Sequence, residues 1–311
     1  MRPATSILLL TTATGFGFGL LAWLGAYATL GLLPPAARVL LAAGITVSLI
    51  FASFGLAASV FHLERKERAW RAFTQWQSSW LSREGVAAVL IYPVAIAFGV
   101  AFWRDGQSLW VRLLGATTLI GSLGTVYCTA MIYASLKPVR QWHNAHTAPD
   151  YLLYALFSGA VLFAALRTVV LGAPGAMASV AAGMAAVAFV AKRAYWRHID
   201  QQAPLATLAA AIGMPNGKAR ALDAPHFSEN FILRQMGFTI ARRHAARLRR
   251  LALGIGFALP LLLEGMASLA VAPRASTLLA FACAALGLLI ERWLFFGEAT
   301  HVSALYYGRR V

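Results

Sequence analysis

Charge is missing from this chain in long blocks, and that pattern restricts its possible folds more than any other feature. Residues 3–37 hold no Asp, Glu, Lys or Arg, and neither do 39–63, 85–103, 113–136 and 168–191. The shorter runs 151–166 and 275–290 have apolar shoulders, and 251–273 is broken only by Glu264. About 20 apolar residues carry a helix across a bilayer. The blocks therefore predict eight spans, near 7–31, 37–61, 85–103, 111–134, 151–171, 175–194, 250–271 and 275–296. A membrane β-barrel would show short alternating segments instead. Inside lipid each span must satisfy its own backbone polar groups, which selects helices. The expected fold is all-α, a single polytopic membrane domain over residues 1–311.

Composition agrees. Charged residues make up 12% of the 311 positions and hydrophobic residues 59%. A soluble domain carries about a quarter charged residues, so this chain has too little polar surface to cover a soluble globule. Turn signals fall between the blocks: Pro34-Pro35 after the first, Gly172-Ala173-Pro174-Gly175 between the fifth and sixth. The first block resembles a signal peptide only in part. Its basic flank is Arg2 alone and its apolar run is too long, which predicts an uncleaved first helix. Cys128 and Cys283 both sit inside apolar runs, where thiols pack as small hydrophobes.

The basic residues set an orientation. Of 27 Lys and Arg, 21 fall in one set of alternate connections and termini, and 5 in the other. The positive-inside rule puts the richer set, and both termini, in the cytoplasm. The long connection 192–250 then lies there too, and partner docking is its expected role. The net charge of +16 suits contact with anionic lipid headgroups, and no nucleic-acid partner is expected. The expected location is a bacterial inner membrane.

Signatures of soluble enzymes are missing from the sequence: there is no phosphate-binding loop, no CxxC and no HExxH. The densest polar cluster is His62-Leu63-Glu64-Arg65-Lys66-Glu67-Arg68-Ala69-Trp70-Arg71, followed by Leu81-Ser82-Arg83-Glu84. His62 closes the second span and Glu84 opens the third, at the same depth. A neutral imidazole hydrogen-bonds a quinone carbonyl, and a neighbouring carboxylate passes protons to water. Trp70, Phe73, Trp76 and Trp80 would line a slot for the ring. The same residues also suit an aromatic interfacial loop anchored to headgroups by Arg and Glu.

The stretch from His62 to Glu84 resembles the second-to-third helix connection of the DmsC family, the membrane anchors of dimethyl-sulfoxide-reductase-type molybdoenzymes. That connection has a His-Leu-Gly start, an Arg-Ala pair and a Leu-Ser-x-Glu end. Here they read His62-Leu63, Arg68-Ala69 and Leu81-Ser82-Arg83-Glu84, with Glu64 in place of the Gly. A second segment, Pro225-His226-Phe227-Ser228-Glu229-Asn230 with Met236-Gly237-Phe238-Thr239-Ile240-Ala241-Arg242-Arg243-His244, resembles the long connection of SoeC-like anchors of the cytoplasmic sulfite-oxidising enzyme. The resemblance implies His62 and Glu84 as quinone-site residues, with Arg68 beside them. The quinone would be ubiquinone or menaquinone. It also implies two cytoplasmic partners, a molybdenum catalytic subunit and a four-cluster iron–sulfur subunit, which hold the molybdenum cofactor and the clusters. Sulfite oxidation coupled to quinone reduction is the expected reaction. The alternatives are an anchor of a reductase that oxidises menaquinol and, from another class, a transporter of an uncharged small molecule.

Haem b needs axial ligands, usually His within helices. His143, His146, His198, His226, His244 and His301 lie outside the spans or near their cytoplasmic ends, so a haem joining the two faces is not expected. One near the cytoplasmic face would use His143 or His301. Of the charges inside spans, Arg167 in the fifth and Glu264 in the seventh stand at similar depth in the outer half. Buried charges are costly in lipid, and a structural ion pair between them is the expectation.

Overall fold

The computed structural model describes residues 3–33, 37–61, 65–203, 206–214, 216–219, 222 and 243–307. Eight helices in it are long and apolar enough to cross a membrane. They are α1 (Thr5–Thr29), α2 (Arg38–Val60), α3 (Trp80–Asp105), α4 (Leu109–Ala134), α5 (Thr147–Leu171), α6 (Ala176–Gln201), α7 (Ala245–Ser268) and α8 (Pro273–Gly297). Every expected span has its helix. Several helices run past the charge-free block that announced them: α3 begins at Trp80, α6 continues to Gln201 and α7 opens at Ala245. The connection drawn at 192–250 is shortened from both ends as a result. Charge-free blocks report the thickness of the hydrocarbon layer, whereas a helix ends where its backbone is capped. Pro34, Pro35 and most of the SoeC-like segment lie outside the described residues.

Two helices are inside the bundle. Over their most apolar windows α1 is 72% buried and α5 is 67% buried, against 28–44% for the other six. Those six turn apolar faces outward, as a lipid-facing ring does. The α1–α5 contact is tight because both helices offer glycine at the crossing. A Cβ added at Gly19 would sit 1.9 Å from the Ala155 carbonyl oxygen, and one at Gly159 would sit 2.1 Å from Gly19 backbone carbon. Small residues let helix backbones approach in lipid, where dispersion contacts and hydrogen bonds replace the hydrophobic effect. The Trp23 indole N–H adds a bond to the Leu156 carbonyl at 2.8 Å. A second glycine contact, Gly256 against Gly287, joins α7 to α8 where α7 widens into a π-helical turn at Gly254–Ala258.

The connections sort onto two faces. Gln107 reaches the Leu33 carbonyl at 2.8 Å on the face with short turns. On the opposite, basic face, Val139 bridges to His301 and the Trp142 indole donates to the Phe295 carbonyl at 2.9 Å. The loop before α5 is thereby tied to the end of α8.

The expected Arg167–Glu264 pair is not formed. Glu264 is fully buried with no hydrogen-bond partner on either carboxylate oxygen. Arg167 instead lays its guanidinium over the α5–α6 turn at Gly175. Helix α7 meets α5 only higher up, where Phe257 packs on Tyr154 and Phe157. Around Glu264 it lies against α6 and α8. Equal depth is therefore not proximity here. Both cysteines are free thiols.

Two expectations follow. Gly19→Val should cost about 3 kcal/mol through overpacking, read as a lowered thermal midpoint in detergent. Gly183→Ala, whose Cβ meets nothing within 4 Å, should cost nothing. For Arg167→Leu and Glu264→Leu, the double variant's stability change should equal the sum of the singles within about 0.5 kcal/mol.

Candidate functional site

The first turn of α3 is built by its own side chains. The Ser79 hydroxyl caps the helix by accepting from the Ser82 N–H. Ser82 donates back to the Ala72 carbonyl. Arg83 donates to the carbonyls of Trp76 at 2.9 Å and Gln77 at 2.6 Å, and its guanidinium stacks 4.3 Å from the Trp80 ring centre. These bonds fold the turn of residues 66–79 onto the helix, with the Phe73 ring over Gly85. Glu84, one turn on from Trp80 and on the same helix face, is directed inward. It is 4% exposed and accepts a hydrogen bond from Thr129 of α4 at 2.6 Å. One turn earlier, Trp80 packs edge-on to Tyr127 of α4, 5.9 Å between centres.

Of the residues singled out from the sequence, Glu84 and Trp80 are thus brought together against α4. A slot between spans two and three was expected, yet the Glu84 carboxylate is directed to α4. Arg68 and Trp70 stay at the surface, on the 3-10 segment Lys66–Phe73. Trp70 stacks with its neighbour Arg71, and Phe73 and Trp76 are also exposed. His62 lies outside the described residues.

Behind Glu84 the bundle holds an ionic group that the sequence reading passed over. Lys192 of α6 pairs with Glu291 of α8 at 2.5 Å, each side chain 1% exposed. The second Glu291 oxygen is 3.1 Å from Nε of Arg292. Arg292 lies 3.9 Å from the centre of the Tyr151 ring and Lys192 lies 4.1 Å from that of Tyr195. Asp150, in the first turn of α5, is buried beside them. Unpaired charges are costly in lipid, and ionisable residues within spans are functional candidates by default.

Two small cavities run through this group. One, of about 20 Å³, is lined by Thr11, Thr12, Thr14, Thr129, Tyr151, Tyr154, Ser158 and Arg292 among others. The second, about 10 Å³, is bordered by Asp150, Tyr151, Tyr154, Lys192, Glu291 and Arg292. Tyr151, Tyr154 and Arg292 border both. The larger has room for a water molecule.

The missed residues did leave a signal. Lys192, Tyr195, Trp196 and Ile199 are all buried, at the spacing of one helix face, in register with the buried Ala181, Ala185 and Ala188. Arg193, Arg197 and Asp200 lie off that stripe. Helical periodicity separates the buried lysine from its surface neighbours, whereas counting charges by block assigned all of them to the loop. Glu291 continues the stripe of Ala280, Ala284 and Gly287 in the same way.

At the rim of the basic face, Arg249 binds both Asp200 oxygens, at 2.6 and 3.0 Å, and Glu298 at 2.8 Å. Burial raises the Glu298 pKa and Arg249 works against the rise. His146 and His198 stand 5.0 Å apart between ring centres. Partial burial first, then His198, lowers the His146 pKa. His143 and His301, the haem candidates, hold the Ala134 carbonyl at 2.6 Å and the Ser303 hydroxyl at 2.8 Å. No group of three or more His, Cys, Asp or Glu that would hold a metal ion occurs among the described residues.

Comparison with known proteins gives two matches. The model of the DMSO reductase anchor subunit (DmsC) family matches residues 5–298. A sulfite dehydrogenase subunit of Allochromatium vinosum is 35% identical over 326 aligned positions, which cover 99% of both chains.

The ionic group makes its own prediction. Glu291→Gln leaves two buried cations without their carboxylate and should cost about 3–5 kcal/mol. Lys192→Met leaves Glu291 with Arg292 and should cost less. The double variant should be more stable than the sum of the singles, as measured by thermal unfolding in detergent.

Proposed function

The chain belongs to the DMSO reductase anchor subunit family, and from that premise we propose that it is the quinone-reactive membrane subunit of a molybdenum oxidoreductase. The observation that carries this reading is Glu84. A carboxylate held inside the bundle by Thr129, directly behind an exposed aromatic turn, suits a proton donor beside an apolar ring. Electrons come from a four-cluster iron–sulfur subunit docked on the basic face, which is cytoplasmic by the positive-inside rule. The molybdenum cofactor and the clusters sit in those partners. The membrane is the bacterial inner membrane.

The chain's own part is to seat a ubiquinone or menaquinone and give it protons. His62 hydrogen-bonds one quinone carbonyl and Glu84 relays the proton. Trp80, packed on Tyr127, forms a wall of the slot, and Trp70 and Arg68 lie at its mouth on the aqueous side. The slot runs along the α3–α4 seam, because Glu84 and Trp80 both point there. Sulfite is the substrate of the catalytic partner, as the name of the Allochromatium relative suggests by its full-length similarity. Sulfite oxidation releases two electrons, and quinone takes them with two protons to become quinol.

His62→Ala and Glu84→Gln should abolish quinone-coupled turnover in the intact complex while leaving its rate with an artificial acceptor intact. The reading is wrong if both variants keep their quinone kinetics.

A further inference from the structure

Glu84 must be recharged after each proton it gives, and the described part of the turn in front of it, residues 65–79, is closed by its own contacts. Ser82 is bonded to Ala72, Phe73 covers Gly85, and Arg83 is held by the carbonyls of Trp76 and Gln77. Behind it the interior is polar. The Thr129 hydroxyl that bonds Glu84 lines the larger cavity, and Asp150 lines the smaller. Both cavities meet at Tyr151, Tyr154 and Arg292. Thr12 Oγ1 borders the larger cavity with no hydrogen-bond partner, and the Tyr154 and Tyr151 hydroxyls reach only Asp150 and Arg292. Buried polar groups are nearly always satisfied, so the larger cavity is a place for a water molecule among these hydroxyls.

The charges fit the same role. Asp150 and Glu291 border the smaller cavity with Lys192 and Arg292, and Glu84 joins this group through Thr129 and the larger cavity. Fully ionised, the five sum to one negative charge, and a single bound proton makes them neutral, the inexpensive state in lipid. Tyr133 and Cys128 from α4, Tyr195 from α6, and Glu298, beyond the end of α8, with its partner Arg249 are titratable or charged neighbours. Arg83 is turned away to the loop carbonyls. At the basic face, Asp150 stands in the first turn of α5, one turn from His146, which lies beside His198 at the rim.

We propose that protons for the quinone reach Glu84 through the interior of the bundle, from the basic face by way of Asp150, past Tyr154, Tyr151 and Arg292 to Thr129, and not across the aromatic turn. This rests on the quinone reading. Each turnover balances as one quinone, two electrons from the iron–sulfur partner and two protons from water on the basic face. Two O–H bonds form on the carbonyl oxygens and give the quinol. Asp150 and Tyr154 touch neither quinone nor cluster. They are positioning and relay residues that act through Glu84.

The test uses the intact complex in native membranes, with Asp150→Asn and Tyr154→Phe. Rates with a short-chain quinone and with ferricyanide are followed from about pH 6 to 9. Asp150→Asn should lower the quinone-coupled rate at least about tenfold. The loss should deepen as pH rises, acetate added as a small proton carrier should restore part of it, and the ferricyanide rate should hold. Tyr154→Phe, which removes only a hydroxyl, should show a smaller loss with the same pH trend. Wild-type quinone rates and pH profiles in both variants overturn the route, and so does parallel loss of both rates. Failure of the quinone reading looks different: Glu84→Gln would leave quinone-coupled turnover untouched, and the route falls with it.

Discussion

The Glu291 carboxylate, shared between Lys192 and Arg292, is the contact on which the functional end of this bundle depends. An unpaired charge is costly in lipid, so the pair holds α6 and α8 in register at this depth. That register sets where Tyr151, Tyr154 and Asp150 of α5 stand, since Arg292 lies against the two tyrosine rings. It also holds the cavity that reaches Thr129, the partner of Glu84. The glycine crossing of α1 and α5 serves the same end: it brings Thr11, Thr12 and Thr14 close enough to form the opposite wall.

A bundle with this interior and a nearly charge-free middle divides its labour by depth. The middle is packed, with small residues at the crossings and aromatic rings such as Phe16, Phe51 and Phe281 against one another. The basic face carries most of the ionisable groups, the aromatic turn and the ion pairs of Arg249. Chemistry confined to one face suits an anchor that receives electrons from a docked partner. It suits a carrier poorly, because alternating access places its site near the midplane. Glu264 is a buried carboxylate without a hydrogen-bond partner, away from that face, that the structure does not explain.

The eight spans were legible because the bilayer imposes a length and bars charge, and both constraints are written directly in residue order. Helix ends were less so. Ser79 starts α3 ahead of its apolar run through a cap bond to Ser82, a local contact that block counting cannot weigh. Glu84 was found through its spacing from His62, which is a property of the sequence, but its direction toward α4 depends on packing. The Lys192–Glu291 pair spans 99 residues of chain. Periodicity marks each partner as buried, and only the fold brings the two together. The expected Arg167–Glu264 pair failed for the converse reason: depth follows from residue counting, whereas the neighbour of a helix does not.

The central claim is that this chain anchors a quinone-linked molybdoenzyme. Its most direct test is purification from native membranes in a gentle detergent, with identification of co-purifying chains, metal analysis and a visible spectrum on one sample. The account predicts two further subunits in stoichiometric amount, molybdenum, many irons per complex and bound quinone. A lone chain, free of metal and quinone in a well-solubilised preparation, would contradict it and would return Glu84 and its aromatic turn to the role of an interfacial anchor.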